Sequence, residues 1–205
     1  MRALAIVLAM TATAACGGGG GPEAQEPDSP DAASATDAPA PVSGGMCNAV
    51  VTHETPLEAA SHVPQGTDVK WASNPPSSGA HYPTHVDWAL TYPVEVARGN
   101  YLHNEEHGGV VLIYNCPGGG CADVVAGLTA VGTALPQDPD CATDHINARW
   151  LVTPDHLLPD GVQVAAAAWG WTYKASCLDP VSLNAFIAAR YAQGGSDKHN
   201  CTPQL

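Results

Sequence analysis

The sequence predicts a mixed domain, α/β or α+β: a small central β-sheet covered by two helices, with a long Pro/Gly-rich N-terminal loop region, braced by disulfides. Three observations carry this expectation. Residues 46–205 have the length of one domain and hold all five Trp and all six Tyr, enough aromatic surface for a core. Short β-branched apolar runs there alternate with stretches of helical spacing, the pattern of a sheet layered with helices. Six of the seven cysteines fall in the same region.

In chain order, residues 1–15 read as a signal peptide. Arg2 is followed by an apolar run from Leu4 to Met10 and by the small residues Ala12, Thr13, Ala14 and Ala15. The run is well short of the ~20 residues that cross a bilayer. Small residues before Cys16 resemble a bacterial lipobox, which makes Cys16 the expected lipidation site and a lipid anchor to the membrane the expected partner. Thr13 stands where such boxes usually carry Leu, and the alternative is a soluble secreted chain cleaved after Ala15. Residues 16–45 are rich in Gly, Pro, Ala and Asp and contain no aromatic residue, Lys or Arg. Such a stretch cannot offset its ordering entropy and reads as a disordered linker.

The globular domain, 46–205, opens with turn chemistry as far as about residue 100: Asn74-Pro75-Pro76-Ser77-Ser78-Gly79 forms a rigid turn, and Pro83 and Pro93 interrupt regular structure. Val110 to Tyr114 is a continuous apolar run, a buried strand. From Cys121 to Ala134 the apolar residues Val124, Val125, Leu128 and Val131 follow helical spacing, with Gly127 and Gly132 against it. Arg149 to Thr153 reads as a second strand ended by Pro154, and Val162 to Tyr173 as one long strand or a pair bent at Gly170, although its four alanines also suit a helix. Pro180 opens the last helix, whose packing side is Val181, Phe186, Ile187 and Tyr191.

The domain carries 15 acidic and 6 basic side chains, a balance of −9, and no basic patch of the kind that phosphate backbones require. Nucleic acid is excluded as a partner, an acidic surface suits solubility or cations, and nothing in the sequence identifies a protein partner. With Cys16 set aside for lipid, Cys47, Cys116, Cys121, Cys141, Cys177 and Cys201 make three disulfides, which persist in an exported chain. Cys116 and Cys121 can close a small loop, and Cys47 and Cys201 can staple the two ends of the domain. The absence of any CxxC pair argues against a zinc–thiolate cluster and against redox function of the thioredoxin type.

Four of the nine histidines lie between residues 81 and 107: His81, His85, His103 and His107. In an extended strand His103 and His107 would stand about 13 Å apart, too far to share an ion. On a helical turn the same spacing brings side chains to ~5–6 Å. Glu106 joins that face, Glu105 points away, and Gly108-Gly109 ends the turn before the strand. One short helical turn, entered from a bend at Arg98-Gly99-Asn100, fits these signals. The alternative is a solvated turn, or a His–carboxylate network that locks a loop over the core.

The segments NPPSSGAHYP (74–83) and HNEEHGGVVLIY (103–114), with Ala167-Ala168-Trp169-Gly170-Trp171 and a downstream cysteine, resemble the domain-of-unknown-function 3105 family of bacterial, often exported, proteins. The resemblance spans essentially the whole domain from about Cys47. It implies no activity. Mapped residue by residue, it puts His81, His103, Glu106 and His107 at motif positions. Glu105 occupies a position that is usually apolar in the family, and His85 lies outside the motif.

Three functional readings follow. The first is an exported lipoprotein, on the periplasmic or cell-surface side, that binds a divalent metal through His81, His103 and His107, with Glu106 as fourth ligand or as a partner behind the ligands. Imidazole and carboxylate suit Zn²⁺ or Cu²⁺. A soft Cu⁺ site is disfavoured, because the domain has no Met beyond Met46 and no spare thiol. The second is a metallohydrolase in which His103-x-x-Glu106-His107 supplies two ligands and Glu106 the general base. The third is a non-catalytic structural or interaction module of the cell envelope that binds no metal. No GxSxG motif points to a serine hydrolase.

Overall fold

The computed structural model describes residues 47–195 and 197–202. The signal peptide of residues 1–15, the lipidation of Cys16 and the linker of residues 16–45 lie outside the described residues. Within them, no helix is long and apolar enough to cross a membrane.

Among the described residues, eight strands, three α-helices and one 3₁₀ helix follow in order: β1 (Val50–His53), β2 (Ser61–His62), β3 (Ala80–His81), β4 (Leu90–Thr91), α1 (Arg98–Glu106), β5 (Val110–Tyr114), α2 (Ala122–Thr133), a 3₁₀ helix (Pro139–Asp144), β6 (Trp150–Pro154), β7 (Val164–Ala168), β8 (Trp171–Ala175) and α3 (Pro180–Arg190). Six strands make one sheet in the order β1-β8-β7-β5-β6-β4, and β2 with β3 makes a small parallel pair. Strand β5 runs parallel to β6 and antiparallel to β7.

Strand β5 is buried on both faces, which is why it reads as an unbroken apolar run rather than an alternating one. Val110 and Leu112 face α2 and α3, packing with Leu128, Leu183, Phe186 and Ile187. Val111 and Ile113 face α1, against Tyr101 and Leu102. The small side chains Ala165 and Ala167 of β7 leave room there for the Tyr101 ring. The sheet is therefore covered by three helices on two faces, where two helices were expected. The difference is α1, too polar along its length to show an apolar stripe, because its outer end carries a site rather than a surface.

Glycines 127 and 132 sit inside α2 because the helix is pressed close to its neighbours. A Cβ at Gly132 would lie 2.4 Å from the Trp150 ring, and one at Gly127 2.3 Å from Leu178. Residues 162–173 resolve into the bent pair: Gly170, at φ +78°, turns β7 into β8, and its N–H donates to Ser77 O. Pro180 follows the N-cap Asp179, whose side chain accepts from Val181 N. Val181 itself is 77% exposed and Leu183 takes its expected place in the core. Four short strands, β1 to β4, appear in the segment expected to be dominated by turn chemistry; each is too short or too mixed to carry a period.

The disulfides are Cys47–Cys177, Cys116–Cys121 and Cys141–Cys201. The small Cys116–Cys121 loop is present, but Cys47 is not bonded to Cys201. Pairing of β1 with β8 carries Cys47 to the end of β8, where Ser176 N donates to Cys47 O, so Cys177 is its neighbour. Cys201 instead meets Cys141 in the 3₁₀ helix. Disulfides persist in oxidising compartments, and three of them suit an extracellular or periplasmic location.

Candidate metal centre

Helix α1 begins at Arg98 and runs through Glu106, with His107 as its C-cap. It is longer than the single turn expected: Arg98, Gly99 and Asn100 form its first turn instead of a bend before it. Helical spacing puts His103 and His107 side by side, Nε2 to Nε2 at 3.0 Å. Gly99 is required because a Cβ there would stand 2.7 Å from the Tyr82 ring, and Tyr82 N donates to Gly99 O. That contact docks the proline-stiffened segment on the helix and delivers the adjacent His81. Asn104 does the same for His85: its side chain accepts from Val86 N and donates to Val86 O. At the end of the helix, Gly109 passes under Trp88, whose ring lies 2.4 Å from where a Cβ would be.

The imidazoles are held by a common device. His81 Nδ1 lies 2.9 Å from Gly79 O, His85 Nδ1 2.9 Å from Val86 O, and His103 Nδ1 2.8 Å from Tyr82 O. A carbonyl oxygen only accepts, so each Nδ1 donates and Nε2 is the ring nitrogen left for the site. Two of these nitrogens meet other side chains of the site. His81 Nε2 is 3.1 Å from Glu106 Oε2, and His103 Nε2 meets His107 Nε2. His107 Nδ1 is buried without a partner. Asp197 Oδ2 stands 3.5 Å from His107 Nε2.

These groups line an open cavity of about 640 Å³ that, among the described residues, has no Lys or Arg in its wall. Burial, followed by the neighbouring imidazole of His107, lowers the pKa of His103 to about 3, with the Tyr82 carbonyl opposing. Burial and then His85 lower that of His107 to about 4, against the pull of Asp197. Both rings are therefore neutral at neutral pH, the form that ligates metals. Hydrogen-bonding the far ring nitrogen to a carbonyl is also how metal-bound histidines are usually oriented.

Each of His62, His81, His103 and Glu106 offers a ligand atom within 4.8 Å of the others. Three of the four residues singled out in the sequence are thus brought together, and the fourth, His107, stands beside His103. His62 had no signal in the sequence. It arrives because β2 pairs in parallel with β3, which puts His62 opposite His81 in register. His85, outside the motif, is nevertheless buried in the same cavity, its ring 5.0 Å from that of His107. Glu106 Oε2 is turned onto His81, a posture that suits a ligand better than a general base acting from outside the ligand set.

Behind the site, Arg149 is fully buried and donates to Asp138 and to the carbonyls of His107 and Lys198, so the C-terminal segment is tied to the end of α1. Asp138 also accepts from the Tyr191 hydroxyl. Burial pushes the Asp138 carboxyl up, but the bonds from Tyr191 and Arg149 outweigh it and hold the pKa below its ordinary value.

A family model described as a protein of unknown function (DUF3105) matches residues 62–203, a span that includes every candidate ligand. No curated protein and no solved structure matches the chain.

Proposed function

This chain belongs to the family described as a protein of unknown function (DUF3105), and from its own geometry we propose that it is an exported domain that binds a divalent metal, Zn²⁺ or Cu²⁺. The ligands are His81, His103 and Glu106, completed by His62 from the solvent side or His107 from the buried side. The domain, 46–205, is carried on the linker of residues 16–45 and anchored to a membrane by lipid on Cys16 after removal of residues 1–15.

One observation carries the metal reading: ring nitrogens of His62, His81 and His103 and a Glu106 carboxylate oxygen converge to within 4.8 Å of one another in a cavity that, among the described residues, has no Lys or Arg in its wall. The low pKa of His103 and His107 keeps both rings neutral at neutral pH, the form that ligates a metal. A cation fits the spacing. Donors held at 2.0–2.1 Å by a tetrahedral zinc stand roughly 3.3 Å apart, close to the 3.1 Å of His81 with Glu106 and the 3.0 Å of His103 with His107. The oxygen and nitrogen donor set favours Zn²⁺ or Cu²⁺ over Cu⁺.

Calorimetric titration of the tagless protein with Zn²⁺ and with Cu²⁺ tests this. Stoichiometric uptake is expected in the wild type, with strong loss in His81→Ala and His103→Ala. His62→Ala and His107→Ala identify the completing ligand by the larger loss. Equally weak uptake by the wild type and all four variants would overturn the metal reading.

A further inference from the structure

The disulfide Cys116–Cys121 sits at the end of β5 remote from the histidines, and its place in the sheet is informative. Taken from β4, the chain runs β4-α1-β5-α2-β6, then the β7–β8 hairpin and α3, with strand order β4-β6-β5-β7-β8. β4 and β5 run parallel to β6, while β7 is antiparallel to β5. This is the order and connectivity of thioredoxin-type domains, with β1 added at one edge and a loop over residues 155–163 in place of the crossing helix between β6 and β7. In such domains the reactive cysteines occupy the junction between the central parallel strand and the helix that follows it. Cys116 and Cys121 occupy that junction: Cys116 lies two residues past β5, and Cys121 is the N-cap of α2. Four residues separate them rather than two, so the sequence motif is missing although its seat is filled.

The surroundings differ from those of the other two disulfides. Cys47–Cys177 and Cys141–Cys201 close segments of 130 and 60 residues, and Cys47, Cys141 and Cys201 are buried. Cys116–Cys121 spans five positions, both cysteines are part-exposed, and it constrains little of the unfolded chain. Its loop is uncovered: a Cβ at Gly118, Gly119 or Gly120 would meet nothing within 4 Å. Clefts open on either side, one bounded by Glu95 and His156, the other by Pro159 and Asp160.

We propose that Cys116–Cys121 is a redox-active pair that exchanges with dithiols on partner proteins or peptides. A thiolate of the partner attacks Cys116 Sγ, the S–S bond breaks, and Cys121 leaves as a thiolate favoured by the free N–H groups at the start of α2. The partner's second thiol, as thiolate, then attacks the partner's own sulfur in the mixed disulfide and releases Cys116. The partner loses two electrons and two protons and ends as a disulfide; Cys116 and Cys121 gain them and end as thiols.

The test uses the full oxidised chain and a reduced synthetic peptide carrying two cysteines, followed by alkylation and peptide mapping. The peptide is expected to become oxidised while Cys116 and Cys121 become alkylated, with the other two disulfides intact and the circular dichroism unchanged. In Cys116→Ser, the remaining Cys121 is expected to react with an aromatic disulfide reagent faster than Cys116 does in Cys121→Ser. Reduction of Cys116–Cys121 only together with the other pairs, as the domain unfolds, overturns the proposal. So does a Cys121 thiol no more reactive than Cys116. Zinc uptake by the same oxidised sample is read separately, because the candidate ligands His62, His81, His103 and His107 lie at the opposite end of β5, so either reading can fail alone.

Discussion

Replacing Glu105 by Met is expected to stabilise the domain by an amount that grows with pH. Glu105 is fully buried on α1, and neither carboxyl oxygen has a hydrogen-bond partner. Burial, and after it the Glu54 carboxylate, raises its pKa well above the ordinary 4.5. The folded protein therefore keeps a proton that the unfolded chain releases near the ordinary value. Between those two pKa values stability falls as pH rises, by about 1.4 kcal/mol per pH unit, and the fall stops only once the folded-state pKa is passed. Methionine has similar bulk and nothing to ionise, so the variant escapes that slope. Below the slope it still avoids leaving a buried polar group unpaired, worth about 1–3 kcal/mol. Set against a total stability of about 5–15 kcal/mol, the effect is large. Urea unfolding of both proteins, metal-free and followed by Trp fluorescence from about pH 4 to 8, measures it. A wild-type-to-variant difference that stays flat across this range, or a variant less stable than the wild type, refutes the reasoning.

Zinc at about 100 times its Kd should stabilise the wild type by about 2.7 kcal/mol, a rise in Tm of roughly 5–11 °C for a domain of this size. His103→Ala should lose most of that rise in a thermal melt with and without zinc, while its metal-free stability drops by about 1 kcal/mol for each of its lost bonds to Tyr82 O and His107 Nε2. Asp138→Ala leaves Arg149 buried without its carboxylate and should cost about 3–5 kcal/mol by urea unfolding at neutral pH. Because the Asp138 pKa is depressed, its stabilisation is present above the unfolded-state value and lost as pH falls through the lower folded one. The wild type should therefore show an acid-limb loss in that window which the variant lacks. Gly99→Ala, favourable by helix propensity, should instead destabilise by about 1–3 kcal/mol, since its Cβ would collide with the Tyr82 ring; a more stable variant would show that Tyr82 moves aside at little cost.

Much of the architecture was written locally. The run 110–114 reads as a buried strand, Asp179-Pro180 carries its own helix start, and Gly170 allows the bend that splits β7 from β8. The spacing of His103, Glu106 and His107 announced a shared helical face, and the C-cap at His107 lies next to the glycine pair that marked the end of the turn. Helix α1 itself was underestimated, because its sides meet a polar site, a tyrosine ring and the sheet in turn, so no single apolar stripe runs along it.

The chain by itself determined the residue types and their short-range spacing: which histidines share a turn, which cysteines exist to be paired, where backbone can bend. Tertiary structure alone decided what meets across long separations. Parallel pairing of β2 with β3 recruited His62, the Asn104 clamp brought in His85, and the pairing of β1 with β8 gave Cys47 to Cys177 instead of Cys201. Such contacts depend on strand order and on which faces are buried, and neither leaves a period in the letters nearby.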